Sequence, residues 1–169
     1  MKRIAAFEKV SRERFIEDYI DTFGENSAAE AVYEEIKLPK RATKGSAGYD
    51  FYLTSDISLK PGESVKIPTG IRAKMEENWV LCIYPRSGLG FKYRLRLNNT
   101  VGIIDSDYYY SDNEGHIFIK ITNESNENKT LELKRGDAFA QGIFLEFGIT
   151  CDDEVSEIRN GGFGSTSKN

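Results

Sequence analysis

The stretch Tyr49–Tyr84, YDFYLTSDISLKPGESVKIPTGIRAKMEENWVLCIY, decides the fold. It holds five short apolar runs: Tyr49–Leu53, Ile57–Leu59, Val65–Ile67, Ile71–Lys74 and Trp79–Tyr84. Each is too short for a helix of ordinary length, and the intervening KPGE, PTG and EEN are turn chemistry. Downstream, Gly115–Asn123, Thr130–Leu133 and Ala138–Phe147 continue the same rhythm. Many short strands at near-regular spacing, with no helices between them, predict an all-β domain, a jelly-roll-like β-barrel or sandwich.

Upstream the texture differs. Phe15, Ile16, Tyr19, Ile20 and Phe23 recur at helical spacing and Gly24 is a natural stop. Ser27 and Glu30 have the spacing of a capping box, and SAAEAVYEEI continues as a second short helix. The expected division is an N-terminal helical extension over 1–36, a β domain over 37–158 and a mobile C-terminal arm over 159–169, where glycine and serine dominate. The extension is expected to serve packing or oligomer contact, and its helices are the surface a protein partner would use.

A length of 169 residues suits one domain with an appendage. The net charge of -4 argues against a general nucleic-acid or membrane-surface binder, which needs a basic face. Cys82 and Cys151 have no metal-ligand spacing and read as reduced thiols. His116 is the single histidine, so a histidine metal site or a Cys/His nucleophile pair is not expected. The chain has no apolar run of membrane-spanning length and no signal-peptide core at its start, so a cytoplasmic location is expected.

Four stretches could carry chemistry. In Asn98–Tyr110, NNTVGIIDSDYYY, a buried strand ends in Asp105, with Asp107 and Tyr108 following. Period 2 would put Asp105 and Asp107 on one face and Ile104 on the other, and would put Tyr108 and Tyr110 on a shared side. The plain alternative is a polar strand end entering a turn. Pro85-Arg86-Ser87-Gly88 offers an arginine, a hydroxyl and approachable backbone N–H groups as an anion cradle, against an ordinary surface turn. Arg135-Gly136-Asp137 reads as a turn with a local Arg–Asp pair, leading to Gln141, whose carboxamide could orient a water. In the tail, glycines around Phe163 would let the backbone close over a ligand while the ring stacks on a planar partner.

Taken together these stretches resemble the homotrimeric deoxyuridine triphosphatase (dUTPase) family, whose five short motifs occur in a fixed order. The matches are Ala47-Gly48-Tyr49-Asp50-Phe51, then Pro85-Arg86-Ser87-Gly88-Leu89-Gly90, then Gly102-Ile103-Ile104-Asp105-Ser106-Asp107-Tyr108. Arg135-Gly136-Asp137-Ala138-Phe139-Ala140-Gln141 and Arg159-Asn160-Gly161-Gly162-Phe163-Gly164-Ser165-Thr166 complete the set.

The resemblance implies a jelly roll, a homotrimer with shared sites, and Mg²⁺-supported hydrolysis of dUTP to dUMP and pyrophosphate. That reaction keeps dUTP low and supplies dUMP for dTMP synthesis. It implies Asp105 as the general base, with Gln141 placing the water, and Tyr108 against the deoxyribose. Asn99 and the backbone of Ile103 and Ile104 would read uracil, with Phe118 as a wall of that pocket. Arg86, Ser87 and Gly88 would hold phosphates. Arg159 would reach the γ-phosphate and Phe163, Gly164 and Ser165 would close over the ligand. Asp50, Asp107, Arg135 and Asp137 would play supporting or structural parts. No direct protein ligand for the metal is expected, since phosphates and water can hold it. The chain departs from the family where Tyr108 runs into YYSDNE before Gly115, a short insertion beside the site, and in its first 35 or so residues. Two other readings use the same residues. A deoxycytidine triphosphate deaminase would share the fold but needs a proton-shuttling glutamate where the third motif has Asp105. A nucleotide-sensing regulatory module would use the N-terminal helices as its partner surface.

Overall fold

The computed structural model describes residues 1–24, 28–157 and Arg159, and among these described residues are twelve strands and three α-helices. The order is β1 (Ala5–Lys9), α1 (Arg12–Phe23), α2 (Ala29–Glu35), β2 (Lys40–Arg41), β3 (Tyr49–Tyr52), β4 (Ile57–Leu59), β5 (Ser64–Pro68), β6 (Ile71–Met75) and β7 (Trp79–Pro85). Then come α3 (Ser87–Tyr93), β8 (Arg96–Leu97), β9 (Gly102–Ile104), a 3-10 turn (Ser106–Tyr110), β10 (Phe118–Thr122), β11 (Leu131–Leu133) and β12 (Ala138–Glu146). The protein is mostly β, as expected. Ser27 of the expected capping box, and the arm from Asn160 onward with Phe163, Gly164 and Ser165, lie outside the described residues.

Five strands form the largest sheet, in the order β2-β3-β12-β7-β9. Its centre, β12, pairs antiparallel with β3 on one side and with β7 on the other. Gly142 explains how the sheet closes on its core. A Cβ there would meet Leu81 Cδ1 at 2.8 Å and Phe51 Cε2 at 2.9 Å, so only hydrogen lets these side chains approach the strand. Smaller sheets β5-β10-β8, β11-β4 and β1-β6 complete the body. Phe51, Phe139, Ile67, Ile119, Ile121 and Leu131 are buried in one continuous core. Each such side chain contributes roughly 1.5–3 kcal/mol of transfer free energy.

The first 36 residues differ from the expectation of helices alone. They open with β1, which pairs with β6 and sets Phe7 edge-on against Tyr49 and Phe51, at 5.3 and 5.7 Å between ring centroids. Ala5 and Ala6 carry no β signal, so this strand owes its form to the partner edge. Helix α1 matches its expectation: Ser11 Oγ caps the amide of Arg14, and Gly24 ends it at φ 83°. Phe15, Tyr19, Ala29 and Val32 form a second apolar cluster, and Phe23 and Ile36 touch both clusters. Gly70 marks the close approach: its φ is +72°, and a Cβ there would lie 2.3 Å from Ile36 Cδ1. The extension is packed onto the β body.

Helix α3 contradicts the expectation of no helices among the strands. Its sequence, SGLGFKY, carries two glycines of low helix propensity, and tertiary context overrides them. The chain after β9 is also not extended. Asp105 precedes a 3-10 turn, so the period-2 faces do not apply: Tyr108 is buried and Tyr110 is exposed.

Candidate active site

Three motifs meet in a cleft of about 730 Å³, lined by Gly48, Asp50, Arg86, Ser87, Gly88 and Gln141 among others. The sheet puts them there. Gln141 of β12 stands opposite Asp50 of β3 and opposite Tyr84 of β7, and directly paired residues share a sheet face. Arg86 follows the end of β7 and its Nε lies 3.2 Å from Asp50 Oδ1. This pair is partly exposed, so it orients the guanidinium more than it stabilises the fold. Ser87 and Gly88 begin α3, where the first-turn amides have no intrahelical acceptor and favour an anion.

Gln141 has a defined orientation. Its Nε2 donates to the carbonyl of Pro85 at 3.1 Å, which leaves Oε1 as the group that can accept from a water. Oε1 lies where a side chain on Gly48 would begin: a Cβ there would be 2.5 Å away. Gly48 of the first motif is therefore the space that Gln141 occupies.

Asp137 also lines this cleft, yet its carboxylate is turned back to the amide of Lys134 at 2.8 Å, where it stabilises the turn. The expected local Arg135–Asp137 pair does not form. The Arg135 side chain reaches Glu35 at the end of α2 at 3.0 Å, and its amide donates to Asp56 at 2.8 Å. Both residues shape the turn before β12.

A second group forms around Asp105. Arg159 Nη2 lies 2.5 Å from Asp105 Oδ2 and its Nε lies 2.9 Å from Asp107 Oδ1, with the guanidinium 5.9 Å from the Tyr108 ring centroid. Asp105 and Asp107 therefore share a partner, through the 3-10 turn and not through strand alternation. Tyr108 is 3% exposed, and burial raises its phenol above the ordinary range. Ile104 is buried against β7, whereas Ile103 and Asn99 are exposed. Asn99 sits in a tight turn in which Thr100 has φ 66° and the Asn99 carbonyl accepts from Val101 at 2.7 Å.

The two groups stand apart within one chain. Ile104 pairs with Leu81 near the start of β7, while Arg86 follows its end. At about 3.3 Å per residue along a strand, roughly 20 Å separates Asp105 from Arg86. Phe118 joins neither group: its ring packs 4.4 Å from the ring of His116 and lies under Lys66. A smaller cavity lies under α2, between Ile36, Leu53 and Ile71.

Sequence reasoning missed His116. It is fully buried, its Nε2 accepts from Gly70 N–H at 2.8 Å, and its Nδ1 lies 2.6 Å from Asp18. Its carbonyl accepts from the Tyr108 phenol at 2.7 Å. A single histidine after a glycine carries no local signal of such a position.

The Arg86 cleft thus stands apart from the Asp105 carboxylate beside the buried Tyr108 in a mostly β protein. Residues 34–167 match the dUTPase family profile. A deoxyuridine 5'-triphosphate nucleotidohydrolase of Lactococcus lactis subsp. lactis is 45% identical over 134 residues, 78% of this chain and 88% of that protein. One from Haemophilus influenzae is 40% identical over 145 residues, 81% and 91% of the two chains. The crystal structure of dUTPase from Streptococcus mutans aligns with TM-score 0.64 and 34% identity, over 86% of this chain and 98% of that one. A mutant dUTPase from phage phi11 of S. aureus, a structure concerned with coordination of a structural Mg(II) ion, has the same fold at 20% identity and TM-score 0.64, over 92% and 98%. The chain belongs to the dUTPase family.

Proposed function

We propose that the protein hydrolyses dUTP to dUMP and pyrophosphate in a homotrimer whose sites combine the Arg86 cleft of one subunit with the Asp105 group of another. The observation that carries this reading is the separation of the two groups at opposite ends of β7. Neither end has the complete chemistry, and a closed symmetric assembly would bring them together. The sheets then correspond to the jelly roll of the family, with 1–36 as an extension and 159–169 as a closing arm, working in the cytoplasm. In that setting it would keep dUTP low and supply dUMP for dTMP synthesis.

Arg86, with the amides and hydroxyl at Ser87 and Gly88, would hold the phosphate oxygens, supplying positioning and charge stabilisation. Gln141 Oε1 would accept from the attacking water and Asp105 would take its proton. Tyr108 would lie against the deoxyribose, leaving no room for a 2′-hydroxyl. Asn99 and the backbone at Ile103 and Ile104 would present donors and acceptors to uracil, whose pattern differs from that of cytosine. Arg159 would leave the two aspartates for the γ-phosphate, as Phe163, Gly164 and Ser165 close over the ligand. Asp50 orients Arg86, while Asp107, Arg135 and Asp137 keep supporting parts.

The donor set fits magnesium carried in by the triphosphate. Among the described residues no three His, Cys, Asp or Glu side chains gather as a cage, and Asp50 is engaged by Arg86. A hard divalent ion that keeps much of its water suits such a site. When bound it would neutralise phosphate charge.

Subunit mixing tests the reading. Arg86→Ala and Asp105→Asn trimers should each be nearly inactive. Unfolded together and refolded at equal amounts, they should regain about a quarter of the wild-type sites by random assembly of complementary subunits. No recovery in verified mixed trimers would exclude a shared site. Detection of dUMP and pyrophosphate from dUTP, with dCTP unchanged, is the expected product pattern.

A further inference from the structure

We propose that His116, fastened by Asp18 of α1, is the positioning residue for Tyr108, so that the N-terminal segment sets discrimination between dUTP and UTP. The proposal rests on the reading of Tyr108 as the wall against the sugar.

The phenol of Tyr108 is held from both directions. It donates to the His116 carbonyl at 2.7 Å and accepts from Asn113 Nδ2 at 2.8 Å. Where the ring stands is therefore decided by the chain at 113–116. His116 is in turn gripped at both ring nitrogens. A backbone amide can only donate, so Nε2, 2.8 Å from Gly70 N, bears the lone pair. Nδ1 then carries the hydrogen and donates to Asp18 at 2.6 Å. The second-acceptor role of a carboxylate in fixing an imidazole's tautomer and orientation is the same one seen behind many functional histidines.

Two further ties join the same segments. Ser11 N–H and Oγ donate to the two carboxylate oxygens of Glu114 at 2.7 and 2.6 Å. Tyr109 donates its hydroxyl to Glu8 at 2.6 Å, while Arg72 stacks on its ring at 3.6 Å. Gly115 transmits position along this loop, since a Cβ there would fall 2.7 Å from Tyr109 Cα and 2.8 Å from the Tyr108 carbonyl. Besides the ties from Gly70 and Arg72, three come from Glu8, Ser11 and Asp18, which lie before the family match over 34–167. On the other side these ties land on Tyr109, Glu114 and His116, across the YYSDNE stretch that the family resemblance reads as an insertion. The extension and the insertion thus fit one another as a pair, directly behind the sugar-facing tyrosine.

Steady-state kinetics on dUTP and UTP, with circular dichroism and sizing of each variant, provide the test. Asp18→Ala should lower the ratio of kcat/KM for dUTP over UTP by about tenfold, because small misplacements of a substrate-facing group carry large rate effects. Asp18→Asn keeps an acceptor for Nδ1–H and should restore the ratio to within about twofold of wild type. Tyr108→Phe retains the ring but loses both bonds, and should lower the ratio even if Asp18→Ala does not fold. If Tyr108→Ala alters the ratio while folded Asp18→Ala and Tyr108→Phe leave it unchanged, the proposal is overturned and the sugar-wall reading stands. An unchanged ratio in Tyr108→Ala overturns the sugar-wall reading and this proposal with it. Equal losses on both substrates in Asp18→Ala would mean a purely structural tie and also overturn the proposal.

Discussion

Arg159 Nη2 lies 2.5 Å from Asp105 Oδ2, and the same guanidinium reaches Asp107. A triphosphate offers the guanidinium a stronger, multidentate acceptor. In the proposed site, transfer of Arg159 to phosphate would break both of these ion pairs.

Asp105→Asn separates binding from chemistry. Binding of a non-hydrolysable dUTP analogue, measured by calorimetry, should stay within a few-fold of wild type. Turnover followed by pyrophosphate release should fall about 10²–10⁴-fold, the usual contribution of a positioned base. Unchanged turnover would remove Asp105 from that role.

Gly48→Ala should harm catalysis more than stability. The added Cβ would meet Gln141 Oε1 at 2.5 Å, and a flexible carboxamide can swing off its rotamer at a cost of about 0.5–1.5 kcal/mol. If Gln141 places the water as proposed, the displaced oxygen would lose it and kcat should fall about tenfold or more, while the melting temperature moves little. A large drop in melting temperature with normal kcat would contradict this account of the first motif.

Gly142→Ala is the opposite case. Its Cβ would meet Leu81, Phe51 and Ile83 in the core, and such overpacking costs typically about 1–3 kcal/mol. Denaturant unfolding should show the loss, and a variant of wild-type stability would mean the sheet relaxes freely there.

Glu114→Gln should change the acid limb of stability. Burial alone would raise this carboxyl, but the Ser11 hydroxyl and amide together hold it below the ordinary range. Because the folded value is depressed, the contribution is fully present above the unfolded carboxylate value and is lost as pH falls through the lowered one. Wild type should exceed the variant at neutral pH by less than about 1 kcal/mol, since solvent screens this partly exposed group, with the gap closing in acid below the ordinary carboxylate range. Hydrogen exchange in α1, measured against pH, would report it; a gap that persists at low pH would contradict the assignment.

Removal of Gly161–Asn169 should impair dUTP hydrolysis while sizing chromatography still shows a trimer. Full activity after the truncation would dismiss the arm as a closing element.

Eight strands between Tyr49 and Phe147 were legible because their signals are local. Turn residues such as Pro61-Gly62 and short apolar runs such as Trp79–Tyr84 act within a few residues, and the structure has strands at these places. Helix α1 was legible for the same reason, through its spacing and Gly24. Strand β1 was not, since Ala5 and Ala6 become a strand only against β6. Helix α3 was not either, because Gly88 and Gly90 argue locally for a turn.

For the candidate site, the sequence by itself supplied the candidates, Arg86-Ser87-Gly88, Asp105 with Tyr108, and Gln141, and it determined the family they resemble. Tertiary structure alone decided who meets whom. Cross-strand register sets Gln141 opposite Asp50, and β7 separates Asp105 from Arg86. The same is true of His116, read from sequence only as a histidine with no partner for metal chemistry, which the fold places between Asp18, Gly70 and Tyr108. The physical reason is range. Turn and capping preferences are written in neighbouring residues, whereas register and burial depend on surfaces that meet only when distant segments pack.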